Sequence, residues 1–191
     1  MNSINLLIRP LKIRDINNNY IAWFSDEKVT EYLEARNISI QDSKQYLIDG
    51  IKKCNYYIYA ICDEKTETHI GNIKIGPIRR LDGVSDLVTI IGDKKYWGKG
   101  VASKAIKLII QKSFTEGGLR KFSASIDSNN VGSLKAYQKA GFKQEAKLEN
   151  YFCHYKDDII FSDKLYVVIN NKDHNLKKFK NWKPISLMDI T

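Results

Sequence analysis

The chain has 191 residues and a net charge of +9, with 43% hydrophobic and 28% charged residues. That length suits one well-buried domain and requires no second. No apolar run approaches the ~20 residues that cross a bilayer, and Met1 to Arg9 lacks a signal-peptide core, so a cytoplasmic protein without a membrane partner is expected.

Cys54, Cys62 and Cys153 form an odd set with no C-x-x-C pair, which argues against a disulfide framework or a zinc site. Their apolar and aromatic neighbours predict buried small hydrophobes. His69, His154 and His174 are too scattered for a metal centre, and no metal is expected. The positive charge has three readings: solubility, attraction to a polyanion such as RNA, or a phosphate-rich ligand. It is dispersed apart from a cluster at Lys172, Lys177, Lys178, Lys180 and Lys183. Dispersion favours a solvated surface over a nucleic-acid partner.

In chain order, Leu6 to Arg9 reads as a strand. Ile16, Tyr20, Trp23 and Phe24 fall at helical spacing within Asp15 to Ser25. Glu27 to Leu33 reads as a short helical piece. Ser39 caps a further helix, with Asp42 at the capping-box position and Tyr46, Leu47 and Ile51 inward. Tyr56 to Cys62 and His69 to Ile78 read as a hairpin, followed by a turn over Leu81 to Ser85 that contains Asp82-Gly83. Asp86 to Gly92 is the next strand. Val101 to Phe114 carries two adjacent apolar stripes, a wide buried helix face stopped by Glu116-Gly117-Gly118. Lys121 to Ile126 is a strand, Asn130 to Ala140 a helix, and Phe142 to Phe152 and Ile159 to Ile169 are strands joined by a turn at Asp157-Asp158. Residues 170–191 read as a polar, Lys-rich tail with Trp182 and Ile185 as docking points, leaving 1–169 as the single domain. Hairpins mixed with two strand-helix-strand units predict an α/β fold of the mixed α+β kind: a mostly antiparallel sheet with helices on both faces.

Two stretches carry chemistry. In Ile90-Ile91-Gly92-Asp93-Lys94-Lys95-Tyr96-Trp97-Gly98-Lys99-Gly100-Val101-Ala102, an apolar strand ends, two glycines follow and a helix begins. A helix N-terminus with unpaired N–H groups and about half a positive charge suits phosphate, and glycines allow it to approach the main chain. The same order also describes an ordinary strand-to-helix connection. It is neither a P-loop nor a complete G-x-G-x-x-G fingerprint. The second stretch is Asn129 to Phe142, where Asn130, Ser133 and Tyr137 share a helix face and Gly141 ends the helix before Phe142.

Together, Trp97-Gly98-Lys99-Gly100-Val101-Ala102 and Asn130-x-x-Ser133-x-x-x-Tyr137 with Gly141-Phe142 resemble the GNAT superfamily of acetyl-CoA-dependent N-acyltransferases. Trp97 stands where most members carry Gln or Arg, as in the branch that resembles ribosomal-protein N-terminal (alanine) acetyltransferases. The resemblance runs from about Leu6 to about Val168. It implies a six- to seven-stranded sheet whose central strands splay to admit acetyl-CoA. It further implies that main chain from Trp97 to Ala102, with Gly98, Lys99 and Gly100 central, grips the diphosphate. Main-chain groups of Ile90, Ile91 and Gly92 would pair with the pantetheine arm. Asn130 would bond that arm, Ser133 would share its face, and Tyr137 would donate to the departing sulfur.

Amide formation also needs a neutral amine. Asp86, at the start of the cofactor-facing strand, fits a general base. His154 is the alternative, because imidazole as a side-chain type changes charge in the physiological range, and water with backbone carbonyls is a third route. Tyr32, Glu34 and Arg36 are the candidate acceptor-binding residues: Glu34 for an ammonium, Arg36 for an anion. Arg79 and Arg80 are expected at the same cleft. The acceptor is a small-molecule amine (an amino sugar, a polyamine or an aminoglycoside) or a protein N-terminal α-amine, and the arginines lean toward an anionic one. A monomer or homodimer is expected. The competing reading is a non-catalytic basic domain of this fold that binds RNA or ribosomes.

Overall fold

The computed structural model describes residues 4–155 and 158–191. The predicted turn at Asp157 lies outside the described residues. Strands β1 (Leu6–Pro10), β2 (Tyr57–Asp63), β3 (His69–Arg79), β4 (Val84–Ile91), β5 (Lys121–Asp127), β6 (Lys143–Tyr155) and β7 (Ile159–Asn170) form one seven-stranded sheet in the order β1-β2-β3-β4-β5-β7-β6. All neighbours are antiparallel except β4 and β5.

Helices α1 (Asn18–Ser25), α2 (Glu27–Thr30), α3 (Ile40–Lys52), α4 (Val101–Gly117), α5 (Val131–Lys139) and α6 (Leu176–Lys180) complete the fold. The expected start of the first helix at Asp15 is corrected to Asn18, because Asn17 caps it by accepting from the amides of Asn19 and Tyr20. Asp15 is engaged instead by the Arg9 guanidinium and the Lys12 amide at 2.6 and 2.7 Å. The Ser39–Asp42 cap forms as its spacing predicts. α4 runs to Gly117 and stops at Gly118, whose φ of 69° permits the left-handed turn.

Residues 171–191 are not merely a polar tail. Phe179, Trp182, Ile185 and Ile190 are buried and join the main core with Tyr57, Leu119 and Phe122. Arg80 clamps this segment: its guanidinium donates to the carbonyls of Trp182 (3.0 Å) and Cys54 (2.9 Å). The arginine expected at the cleft therefore holds the chain terminus in place. Arg79 pairs with Asp82 in the β3–β4 turn at 2.7 Å and is likewise spent locally. Of the cysteines, Cys62 is buried as expected, Cys54 is half-buried and Cys153 is exposed; all are free.

Candidate active site

β4 and β5 pair over three rungs only, Val84 with Lys121 through Asp86 with Ser123. Beyond that vertex they diverge, and β4 shows an edge from Leu87 to Ile91 to the gap. Antiparallel pairing makes the polar groups of successive residues alternate between the two edges. The Gly92 amide donates to Ile70 O on β3 at 2.9 Å, and Ile90 stands opposite Asn72 in the same phase. Leu87, Thr89 and Ile91 therefore turn their main-chain groups into the gap. Two of those carbonyls have partners there: Leu87 O accepts from the Tyr137 hydroxyl and Ile91 O from the Trp97 indole N–H, both at 2.7 Å. Of the expected main-chain trio, Ile91 keeps its place, while the polar groups of Ile90 and Gly92 face β3. Period-two alternation carried forward from a known rung would have found Leu87 and Thr89. Gly92 answers to packing: a Cβ there would lie 1.9 Å from the Trp23 ring.

After β4, Asp93 caps a single 3-10 turn by accepting from the Lys95 amide. Gly98 and Gly100 then adopt φ of 71° and 76°, left-handed values that other residues reach only with strain. The first intrahelical bond of α4 runs from the Lys104 amide to Gly100 O. The amides of Val101, Ala102 and Ser103 thus have no intrahelical acceptor, and Gly100 offers no side chain to cap them. A Cβ added at Gly98 would meet nothing within 4 Å, so the space over this turn is open. A row of unspent donors under open space fits a diphosphate. Lys99 carries its ammonium over the Tyr96 ring at 5.9 Å. Lys28, Lys135 and Lys139 line the cleft and add positive charge that the motifs did not point to.

α5 forms the opposite wall. Asn130 caps it, its side-chain oxygen accepting from the Ser133 amide at 3.0 Å. That bond fixes Asn130 and Ser133 at the cleft, which both line with Trp97, Gly98, Gly100 and Tyr137. The cleft measures about 460 Å³. Tyr137 lies one turn further, 4% exposed, with its ring edge on Phe142. Its hydroxyl reaches the gap, bonded to Leu87 O and 3.4 Å from the Thr89 hydroxyl. Burial pushes this phenol's pKa well above its ordinary value, and the charge of Asp86 adds to the push. Tyr137 is therefore a protonated hydroxyl aimed at the β4 edge.

Asp86 stands at the vertex itself, its carboxylate accepting from the Ser123 hydroxyl and tying β4 to β5. Tyr32 lines the cleft, and its hydroxyl donates to Asn129 O at 3.4 Å. Arg36 bonds the carbonyls of Leu33 and Glu31 of its own segment (3.2 Å each), and the exposed Glu34 lies outside the cleft wall. The carboxylate that does reach this end is Glu31. His154, on β6, places Nε2 2.9 Å from an oxygen of Asp127 at the tip of β5. No group of three or more metal-ligating side chains converges among the described residues.

Residues 5–143 match the family described as the acetyltransferase (GNAT) domain. The spermidine N(1)-acetyltransferase of Escherichia coli K12 is 36% identical over 158 residues, covering 76% of this chain and 76% of the relative. A Bacillus licheniformis protein described as the uncharacterized N-acetyltransferase p20 is 25% identical over 150 residues, covering 76% of this chain and 83% of its own length. Among solved structures, Vibrio cholerae spermidine N-acetyltransferase in complex with CoA and spermine superposes with a TM-score of 0.76 at 19% identity, over 88% of this chain and 96% of that one. Vibrio fischeri ribosomal-protein-S5-alanine acetyltransferase gives 0.71 at 19% identity, over 92% and 98%. With a family match over most of its length and the forked sheet to go with it, this chain belongs to the GNAT acetyltransferase family.

Proposed function

We propose that the protein is an acetyl-CoA-dependent N-acetyltransferase whose acceptor is a small, cationic primary amine. The observation that carries the reading is the meeting of three parts in one cleft: the unspent amides at the start of α4, the gap-facing edge of β4, and the Tyr137 hydroxyl between them. The amides and lysines hold the diphosphate of acetyl-CoA, the β4 edge aligns its arm, and one gap-facing N–H polarises the thioester carbonyl. The neutral amine attacks that carbon directly. The C–S bond then breaks, and Tyr137 supplies the proton that the departing thiolate takes up. Asp86 holds the vertex and helps keep Tyr137 protonated for that role.

The lean toward an anionic acceptor loses its support, because Arg36, Arg79 and Arg80 are spent on carbonyls and a turn carboxylate. Glu31 and Tyr32 at the cleft favour a cationic one. So does the likeness to a relative named for spermidine. The reading carries with it a cytoplasmic location, a monomer or homodimer, and no metal, membrane or nucleic-acid partner.

The test is a panel of amines (spermidine, a nucleotide-linked amino sugar, an aminoglycoside and N-terminal peptides) with acetyl-CoA and a free-thiol readout. Spermidine-like amines should release thiol fastest. In parallel, acetyl-CoA at 100 times its Kd should stabilise the fold by about 2.7 kcal/mol. A salt-sensitive stabilisation by RNA with none by acetyl-CoA would instead support the binding-module reading.

A further inference from the structure

The acceptor amine reaches the protein as an ammonium and must lose a proton before it attacks. Besides Glu31, which lines the cleft and suits the ammonium itself, two groups stand near the cleft among the described residues. Asp86 is at the closed vertex with its carboxylate already bonded to Ser123. The other is a pair that the two motifs do not include. We infer that His154, oriented by Asp127, is the proton acceptor for the incoming amine; this rests on the N-acetyltransferase reading above.

Asp127 is buried at the last position of β5. One carboxylate oxygen accepts from the Asn129 amide at 2.8 Å, which bends the chain toward α5. The other lies 2.9 Å from His154 Nε2, and the Ser162 hydroxyl of β7 lies 2.8 Å from the same nitrogen. A carboxylate only accepts, so Nε2 carries the hydrogen and Nδ1 carries the lone pair. Nδ1 has no hydrogen-bond partner among the described residues. A buried carboxylate behind a ring nitrogen fixes the tautomer and stabilises the imidazolium that forms when Nδ1 takes a proton.

The position is equally specific. His154 lines a side pocket of about 60 Å³ with Glu31, Tyr32, Asn129 and Ile160. Glu31 and Tyr32 also line the main cleft, so the two spaces share a wall. Consecutive residues Asn129 and Asn130 line one space each. The Tyr32 and His154 rings meet edge to face, with centroids 6.4 Å apart. At roughly 30 Å³ per water, the side pocket has room for about two molecules, and the proposed proton path from the acceptor end of the cleft to Nδ1 runs through them. Asp127 from β5, Glu31 and Tyr32 from the end of α2, and Ser162 from β7 are the polar and titratable groups around the ring.

The balance is simple. The ammonium N–H bond breaks, and its proton goes through water to Nδ1, giving a neutral amine and an imidazolium. The amine then forms the C–N bond and the C–S bond breaks. Tyr137 gives its proton to the thiolate to form the thiol, the attacking nitrogen keeps one proton in the amide and releases the other, which restores the Tyr137 hydroxyl, and His154 returns its proton to solvent. No oxidant, reductant or further reactant is required.

The test uses spermidine as the probe amine and compares the full chain with His154→Gln, Asp127→Asn and Asp86→Asn. Acetyl-CoA binding is measured first by calorimetry. If the unaltered protein neither binds acetyl-CoA nor releases thiol with any amine of the panel, the N-acetyltransferase reading fails, and this inference with it. If it does both, the pH dependence of kcat/KM decides. His154→Gln should keep acetyl-CoA affinity within about twofold, lower kcat/KM about 10²-fold, and lose an inflection that the pH profile of the unaltered enzyme shows. Asp127→Asn should weaken the same inflection; should it fail to fold, His154→Gln alone decides. A profile unchanged in His154→Gln, or one abolished in Asp86→Asn and kept in His154→Gln, overturns the inference.

Discussion

The two flanks of the fork are built to opposite specifications. On the β1–β4 side, six of the seven residues of β2 are buried, with α3 packed against the strand. On the β5–β7 side, β6 is exposed along nearly its whole length, and Tyr155, Ile159, Ile160 and Phe161 project large apolar groups. The turn proposed to hold the coenzyme grows from the first flank, and the proposed proton acceptor sits on the second. The difference teaches where geometry must be fixed. A diphosphate grip made of main-chain amides depends on a backbone that cannot shift, whereas an acceptor wall works with a side chain locked by buried partners, here Asp127 and Ser162.

The largest expected effect breaks the bridge between the flanks. Tyr137→Phe removes the proposed proton donor while keeping the ring on Phe142, and should lower kcat by ~10² to 10⁴-fold with acetyl-CoA affinity nearly unchanged; equal losses in kcat and affinity would reduce Tyr137 to a packing residue. Next, Trp182→Ala should cost ~3–5 kcal/mol of stability because it empties a core position on the first flank. Tyr155→Ala on the exposed hairpin should stay within about 0.5 kcal/mol. Urea midpoints of both variants test the contrast directly, and a large loss at Tyr155 would show that the hairpin is covered in solution. Gly100→Ala forces a φ of 76° on a residue with a Cβ and should cost ~1–2 kcal/mol while weakening acetyl-CoA, read by thermal shift with and without the coenzyme.

The smallest effect is a pH dependence on the first flank. Burial holds the pKa of His69 below its ordinary 6.5, against the opposing pull of its bond to Asn72 and the charge of Asp15. The fold prefers the neutral ring, so this contribution is complete above pH 6.5 and is lost as pH falls through the lower folded value. His69→Gln should flatten that part of the stability profile, and an unaltered slope would assign it to other groups.

Local chemistry determined much of this from sequence. Glycines before an apolar helix face, Asn130 at a cap and Tyr137 two turns on needed only near neighbours to be read, and each landed in the cleft. The helix capped by Ser39 and all seven strands were equally visible, because caps and periodicity act within a few residues. Tertiary structure alone decided the rest. Whether Ile90 or Leu87 faces the gap depends on which rung β3 takes, a fact held by a strand that starts at His69. The arginines at 79 and 80 look free in the sequence until a carboxylate and the returning C-terminal segment claim them. His154 gains its carboxylate partner only when β5 brings Asp127 beside it, 27 residues away in the chain. Charges and strand edges are assigned by partners distant in sequence, and a linear reading sees the groups without seeing who holds them.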